Sequence, residues 1–243
     1  MPVLSTQVSE GPSFLRGTGD KLDELRTPAD FDIKPRSESD TDQSQKWQAL
    51  IDANLQSPLV GVQGIWRMEQ PLSFTPGANF TLHGQGSRQF GGARFDLFDT
   101  PFMEVDGGAS QAAFNLEFKN FLIWPQTVTS DFSHVMKFNN CYRVFLEEIG
   151  FNNVPVKERE AGFYNNILHV TGTIREFIGA RRSPISAGNE TSGNCVLLEH
   201  TKGKVTLRDL DTENNFTGVR IASAGHTQLY NYYSERNGTA LWV

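Results

Sequence analysis

Carboxylates at the outward positions of a repeated strand pattern are the residues of this chain best suited to chemistry. Cleavage of a glycosidic bond needs an acid together with a base or a nucleophile, and both are commonly carboxyl groups. Six carboxylates occupy such positions: Glu147, Glu148, Asp209, Asp211, Glu213 and Glu235. In the predicted register Glu148 and Asp209 share one column two strand spacings apart, roughly 9.6 Å, at the edge of the range for inverting hydrolysis. They are the predicted catalytic pair, and the alternative is that all six are ordinary solvated charges.

A tyrosine-rich segment and a basic pair are the predicted sugar-binding residues. Tyr230, Tyr233 and Glu235 combine aromatic rings with a polar neighbour. The alternative is that these tyrosines are common strand residues or subunit contacts. Arg181 and Arg182 form the densest basic spot, in a region of long loops where Tyr164 also lies. Long excursions on one face of a repeat fold tend to carry binding sites, although a plain turn also accounts for the two arginines.

Composition argues against several other classes of function. The net charge of −6 argues against nucleic acid as a partner, because phosphate binding requires concentrated Lys and Arg. The five histidines show no ligand spacing, so we predict no metal site and no cofactor. No apolar run approaches the roughly 18 residues of a membrane span, so no membrane insertion is predicted. Two cysteines are too few for a disulfide framework, which suits folding in a reducing cytoplasm.

A weak internal repeat with a period of roughly 21 to 32 residues indicates stacked strand units. One arm of each unit has the spacing apolar, x, apolar, x, x, apolar, and the other is a short apolar strand. The first arm recurs at Leu116-Phe118-Phe121, Val144-Leu146-Ile149, Val205-Leu207-Leu210 and Thr227-Leu229-Tyr232. The second recurs at 135–138, 167–170, 196–199, 219–221 and 241–243. The segment 174–178 fits the register poorly, which predicts a bulge that turns Glu176 outward.

The region before the repeats resembles the start of the pectate-lyase-like superfamily, which includes phage tailspikes and capsule depolymerases. That family typically has D-F-G-A, T-D-D-T before a short amphipathic helix, P-x-G-x-Y, P-L-x-L-P-x-G and L-x-G-x-G. The matching pieces here are Ala29-Asp30-Phe31-Asp32, Thr41-Asp42-Gln43-Ser44, Val60-Gly61-Val62, Gly64-Ile65-Trp66, 71–77 and 80–86. Their order and spacing carry the resemblance, which covers about a quarter of the chain.

The resemblance implies an all-β, right-handed parallel β-helix over residues 29–243, with a capping helix near 42–55. It further implies a homotrimer of the tailspike type in a phage tail, which binds host surface polysaccharide. Residues 1–28 are then expected to be the arm that attaches to the virion tail or to an adaptor protein. The last strand stops at Val243 within an apolar pattern, so we expect a chain that continues beyond this residue or a second subunit that covers this end.

Two other functions remain open at this point. One is a polysaccharide-cleaving enzyme, a glycoside hydrolase or lyase, that acts through outward carboxylates. The other is a non-catalytic structural adaptor of the virion. New reducing ends or unsaturated products would identify the first, and binding to particles without binding to glycan would identify the second.

Overall fold

The described part of the chain is built mainly of strands. The structure, a computed structural model, describes residues 27–53, 58–74, 79–85, 92–108, 115–154, 162–179, 183–187, 193–213 and 215–243. Residues 1–26, which hold most of the predicted attachment arm, and Arg181 and Arg182 lie outside these ranges. Within them, no helix is long and apolar enough to cross a membrane.

The described ranges contain a short 3₁₀ helix at Pro28–Phe31, an α-helix and nineteen strands. The α-helix, α1 (Ser44–Ala53), lies within the segment where the sequence predicts a helix. The strands are β1 (Pro58–Val62), β2 (Gly64–Met68), β3 (Leu72–Phe74), β4 (Asn79–Gly84), β5 (Ala93–Phe98), β6 (Met103–Asp106), β7 (Asn115–Thr127), β8 (Asp131–Phe132), β9 (Met136–Asn139), β10 (Arg143–Val154), β11 (Phe163–Tyr164), β12 (Asn166–Gly179), β13 (Ser183–Ala187), β14 (Asn194–Arg208), β15 (Leu210–Glu213), β16 (Thr217–Ala222), β17 (His226–Tyr230), β18 (Tyr233–Glu235) and β19 (Thr239–Trp242).

All strand pairings in these ranges are parallel, and seventeen of the strands form one large, strongly curled sheet with three faces. Face I contains β1, β4, β17 and parts of β7, β10, β12 and β14. Face II contains β2, β5, β13, β15, β18 and the second halves of β7 and β10. Face III contains β3, β6, β9, β16, β19 and the first parts of β12 and β14. The small pair β8–β11 lies apart from this sheet.

The pairing confirms the two arms predicted from the sequence and adds a third. Leu116 pairs with Val144, and Val205 pairs with Thr227, as the first arm requires. The second arm pairs Leu168 with both Met136 and Val196. The first arm turns the corner, because its last apolar positions Phe121, Ile149 and Leu210 lie on face II. The rest of face II was not recognised as a separate arm, because its inner positions Thr212 and Ser234 are polar and give no apolar period.

The interior is a set of apolar columns. On face I the column passes through Phe80, Leu116, Val144, Phe177 and Val205, each at most 2% exposed. Burying a side chain of this size contributes about 1.5–3 kcal/mol relative to leaving it in water. A single turn of strands cannot bury its own inner face, so stability depends on neighbours stacked about 4.8 Å apart.

The predicted bulge at Glu176 is confirmed. The pairing of β12 with β14 shifts register between Ile174 and Glu176. Ile174 stays buried, whereas Glu176 is about one-third exposed and its carboxylate accepts a hydrogen bond from Arg143 Nε at 3.1 Å. The extra residue in the bulged strand therefore prevents an unpaired carboxylate from entering the apolar interior.

The segment 33–53 covers the open edge of the first strands. Arg36 N donates to the carbonyl of Ile65, and Gln43 N donates to the carbonyl of Arg67. Gln48 in α1 exchanges two hydrogen bonds of 2.9 Å with the backbone of Ser73. These contacts satisfy backbone groups that would otherwise offer a template for pairing with another chain.

Helix α1 begins and packs for clear local reasons. The Asp42 carboxylate accepts from Ser44 N at 2.9 Å, which satisfies an orphan N–H group of the first turn. Trp47 is fully buried, with its ring centroid 5.0 Å from Trp66 and 5.2 Å from Phe95. The helix thus closes the end of the apolar interior.

Candidate functional site

The predicted catalytic pair lies at the corner between faces I and II. Phe145 and Thr206 share a column because both pair with Ile178. Glu148 and Asp209 each follow by three residues, so they occupy equivalent positions two strand spacings apart, roughly 9.6 Å. The predicted register is therefore confirmed for these two residues, while a catalytic role for them stays a prediction.

The backbone at this corner gives both residues a structural role. Asn120, Glu148, Asp209 and Asn231 all have φ between 50° and 58°. This left-handed conformation is uncommon for residues other than Gly, and Asn and Asp adopt it most readily. The Asp209 carboxylate accepts a hydrogen bond of 2.6 Å from Asn231 Nδ2 in the next turn. Asp209 thus supports the stacking of the corner.

A different set of carboxylates faces outward from β15 and β18. We call Asp211, Glu213, Tyr233 and Glu235 the carboxylate surface. In the register Asp211 lies opposite Tyr233, and Glu213 lies opposite Glu235. Backbones of neighbouring strands are about 4.8 Å apart, and residues i and i+2 of one strand are about 6.6 Å apart. If their side chains point the same way, the backbone spacing of Glu213 and Glu235 is close to the carboxyl separation of retaining glycosidases, and that of Asp211 and Glu213 is close to the separation of inverting ones.

Electrostatics distinguish Glu213 from the other carboxylates. Partial burial and the negative charges of Asp211 and Glu235 raise the pKa of Glu213, and the nearby Arg236 only partly offsets this. A carboxyl group with a raised pKa beside a second carboxyl group is the arrangement used for general acid catalysis. Within the carboxylate surface Glu213 is therefore the candidate proton donor, and Glu235 is the carboxylate next to it.

The predicted tyrosines are accessible, and Tyr233 lies among these carboxylates, whereas Tyr230 lies on face I opposite Arg208. Tyr230 is 48% exposed at the end of β17, and Tyr233 is 55% exposed on β18. The Tyr233 hydroxyl donates to Glu235 Oε2 at 2.9 Å. This hydrogen bond and the charge of Glu235 raise the pKa of Tyr233. An exposed ring next to a carboxylate offers a flat apolar platform together with polar partners.

One suggested site residue belongs to the core instead. Tyr164 is fully buried, and its hydroxyl donates to the carbonyl of Thr100 at 2.5 Å. Its ring stacks on Phe132, with centroids 5.3 Å apart. Burial raises the pKa of Tyr164, so it stays a neutral hydrogen-bond donor. Tyr164 anchors the β8–β11 pair and is not available to a ligand.

Sequence reasoning missed Glu213 as a candidate proton donor, although a signal for it exists. The spacing of Asp211, Glu213 and Glu235 is two residues along one strand and then one turn of the coil. Recognising it requires the pairing of β15 with β18, which has no apolar signature. Within the described ranges no group of three or more His, Cys, Asp or Glu side chains is arranged to hold a metal ion.

For the carboxylate surface and the corner between faces I and II, no counterpart in a related protein of known function was found. Comparison with protein-family models, with curated proteins and with solved structures found no match to this chain.

Proposed function

We propose that this protein is a right-handed parallel β-helix of the tailspike type that recognises host surface polysaccharide. The observation that carries the proposal is the exposed ring of Tyr233, hydrogen-bonded to Glu235 on the outside of a regularly stacked parallel sheet. Aromatic rings with adjacent hydrogen-bonding groups suit the mixed apolar and polar faces of a sugar. Stacked strands hold these groups in fixed positions, which lowers the entropic cost of binding.

The rest of the proposal follows the resemblance of the N-terminal region. The protein is a homotrimer in a phage tail, assembled in the host cytoplasm, and residues 1–28 attach it to the virion tail. Light scattering after size exclusion tests the trimer, and a monomer at micromolar concentration contradicts it. Removal of residues 1–28 should abolish attachment to particles and leave the folded core soluble. Attachment without any binding to glycan would favour the structural adaptor.

Binding to a panel of capsular and lipopolysaccharide-derived polysaccharides tests recognition directly. Tyr233→Ala removes the ring and should weaken binding at least tenfold, about 1.4 kcal/mol. The matched variant Tyr233→Phe keeps the ring and loses only the hydroxyl that bonds Glu235, so it should retain most of the affinity. Equal losses in the two variants would show that the hydroxyl, not the ring, makes the contact.

The raised pKa of Glu213 favours a second candidate, a polysaccharide hydrolase. Incubation with the bound polysaccharide should then release new reducing ends, whereas unsaturated products would indicate a lyase. Glu213→Gln should abolish cleavage, because the amide cannot donate the proton. Glu148→Gln is the matched control at the corner. If Glu148→Gln is inactive and Glu213→Gln is active, the catalytic pair predicted from the sequence is the right one.

A further inference from the structure

A cavity on the outer side of face III is separate from the carboxylate surface. Its volume is about 360 Å³, and its lining includes Asn166, Asn194, Phe216, Thr217, Arg220 and Trp242. These residues lie on β12, β14, β16, β19 and the turn before β16. The volume falls within the roughly 300–1,000 Å³ of sites for small ligands.

Arg220 supplies a positive charge that the cavity does not neutralise. Its guanidinium lies 4.6 Å from the centroid of the Trp242 ring. Its direct register neighbours are Leu197 and Trp242, which carry no charge. Among the described residues no carboxylate lies within ion-pair distance of Arg220 or of Arg208, whereas Arg36, Arg67, Arg94, Arg143 and Arg236 all have one. Of the two, Arg220 is the one that lines this cavity. An aromatic ring holds the guanidinium in place and leaves its N–H groups for another acceptor.

Aromatic and polar groups surround this charge. Trp242 is 49% exposed and Phe216 is 44% exposed. Asn194 Nδ2 donates to Asn166 Oδ1 at 2.8 Å, and Asn166 Nδ2 donates to the carbonyl of Ser133 at 2.8 Å.

Thr217 lies beside this amide chain and is fully buried, yet its hydroxyl has no hydrogen-bond partner among the described residues. Thr217 has the same strand phase as the core residue Val219, so its hydroxyl belongs to the wall of the sheet and is not a contact for a ligand. The lining therefore offers a cation, two exposed rings and side-chain amides within one cavity.

We propose that this cavity binds a sugar residue that carries a carboxylate, a uronic acid within a longer polysaccharide. The guanidinium of Arg220 can donate two parallel hydrogen bonds to one carboxylate. The exposed ring of Trp242 provides a surface for the apolar face of a pyranose, and the amide of Asn194 suits the sugar hydroxyls. The inference rests on the proposed recognition of polysaccharide and specifies that the recognised polymer is acidic. The carboxylate surface on face II repels such a group, so it would contact uncharged residues of the same polymer.

Binding to acidic polysaccharides in native and carboxyl-reduced form tests the inference. Reduction converts each uronic acid to a neutral hexose and leaves the chain otherwise intact. The wild-type protein should lose at least tenfold in affinity on reduction, because a hydrogen bond to a charged group is lost. Arg220→Gln should bind the native and reduced forms equally. Lys202→Gln removes an exposed charge outside the cavity and should keep the wild-type preference.

Tryptophan fluorescence gives a second readout. Of the four tryptophans, Trp47 and Trp66 are at most 2% exposed, Trp124 on β7 is half-buried with Arg94 over its ring, and Trp242 is half-exposed. Millimolar D-glucuronate should therefore change the emission of the wild-type protein more than D-glucose does, and Trp242→Phe should remove the difference. Equal affinity for native and reduced polymers overturns this inference and leaves the proposed function standing. Failure to bind any polysaccharide, with the fold intact by circular dichroism, overturns both.

Discussion

Replacing Asp96 should show whether a buried carboxylate holds the covering segment onto the sheet. Asp96 lies on β5 and is fully buried. It accepts hydrogen bonds from Arg36 Nη1 at 2.6 Å and from Arg94 Nε and Nη2 at 2.6 and 2.8 Å. Arg36 belongs to the segment before α1, and its hydrogen bonds to Asp96 and Asp40 raise its pKa. Asp96 therefore connects the covering segment to face II.

The expected cost of Asp96→Ala follows from these contacts. Removing one member of a buried ion pair typically costs about 3–5 kcal/mol, because a charge is left without its partner. Arg36 and Arg94 keep 28% and 26% of their side chains exposed, so water can solvate them and the cost falls to about 3 kcal/mol. For a chain of this size, that lowers Tm by roughly 6–12 °C.

Thermal unfolding followed by circular dichroism measures this effect, and Asp40→Ala is the matched control. Asp40 pairs with the same arginine, but its side chain is 52% exposed, so its loss should cost less than about 1 kcal/mol. Hydrogen exchange should also accelerate in residues 36–53 of the Asp96 variant, because the segment loses its anchor. If the two variants have the same Tm, the buried carboxylate does not hold the segment and the reasoning fails.

Three further predictions follow from other buried or crowded groups. Trp47→Ala should lower the free energy of unfolding by about 3–5 kcal/mol in urea titrations, because it leaves a large cavity against Trp66. Burial lowers the pKa of His134 from 6.5 to about 4, although Glu104 partly opposes this. As the pH falls, His134 is therefore protonated in the unfolded chain before it is protonated in the folded protein. The free energy of unfolding should fall by about 3 kcal/mol between pH 6.5 and pH 4, and His134→Gln should flatten this dependence on pH. The raised pKa of Glu213 makes stability depend on pH in the opposite direction. The stability that the protonated carboxyl group contributes at low pH is lost as the pH rises through the pKa of Glu213 in the folded protein. Glu213→Gln should therefore unfold at a higher temperature than wild type at pH 7 and at the same temperature near pH 4.

The pairing of the two apolar arms and the bulge at Glu176 could be predicted from the sequence. Inner side chains such as Phe118, Leu146 and Leu207 must be apolar at a fixed spacing in every turn, so they leave a period in the sequence. A charged residue that interrupts the period, such as Glu176, predicts the bulge, because burying it unpaired is too costly. The segment that forms α1 was also predictable, since its turn residues and apolar spacing are local features.

The sites were decided by the tertiary structure. Glu213 lies opposite Glu235, and Arg220 lies over Trp242, only because strands 22 residues apart in sequence pair side by side. Outward side chains face solvent and obey no apolar period, so their types do not reveal which of them become neighbours. Tyr164 shows that the sequence pattern also fails to identify some core residues. It lies in a predicted loop, but its contact with Thr100 places it in the core. The sequence determines the repeated interior through the hydrophobic requirement of each turn, and the stacking of the turns determines which outward groups meet.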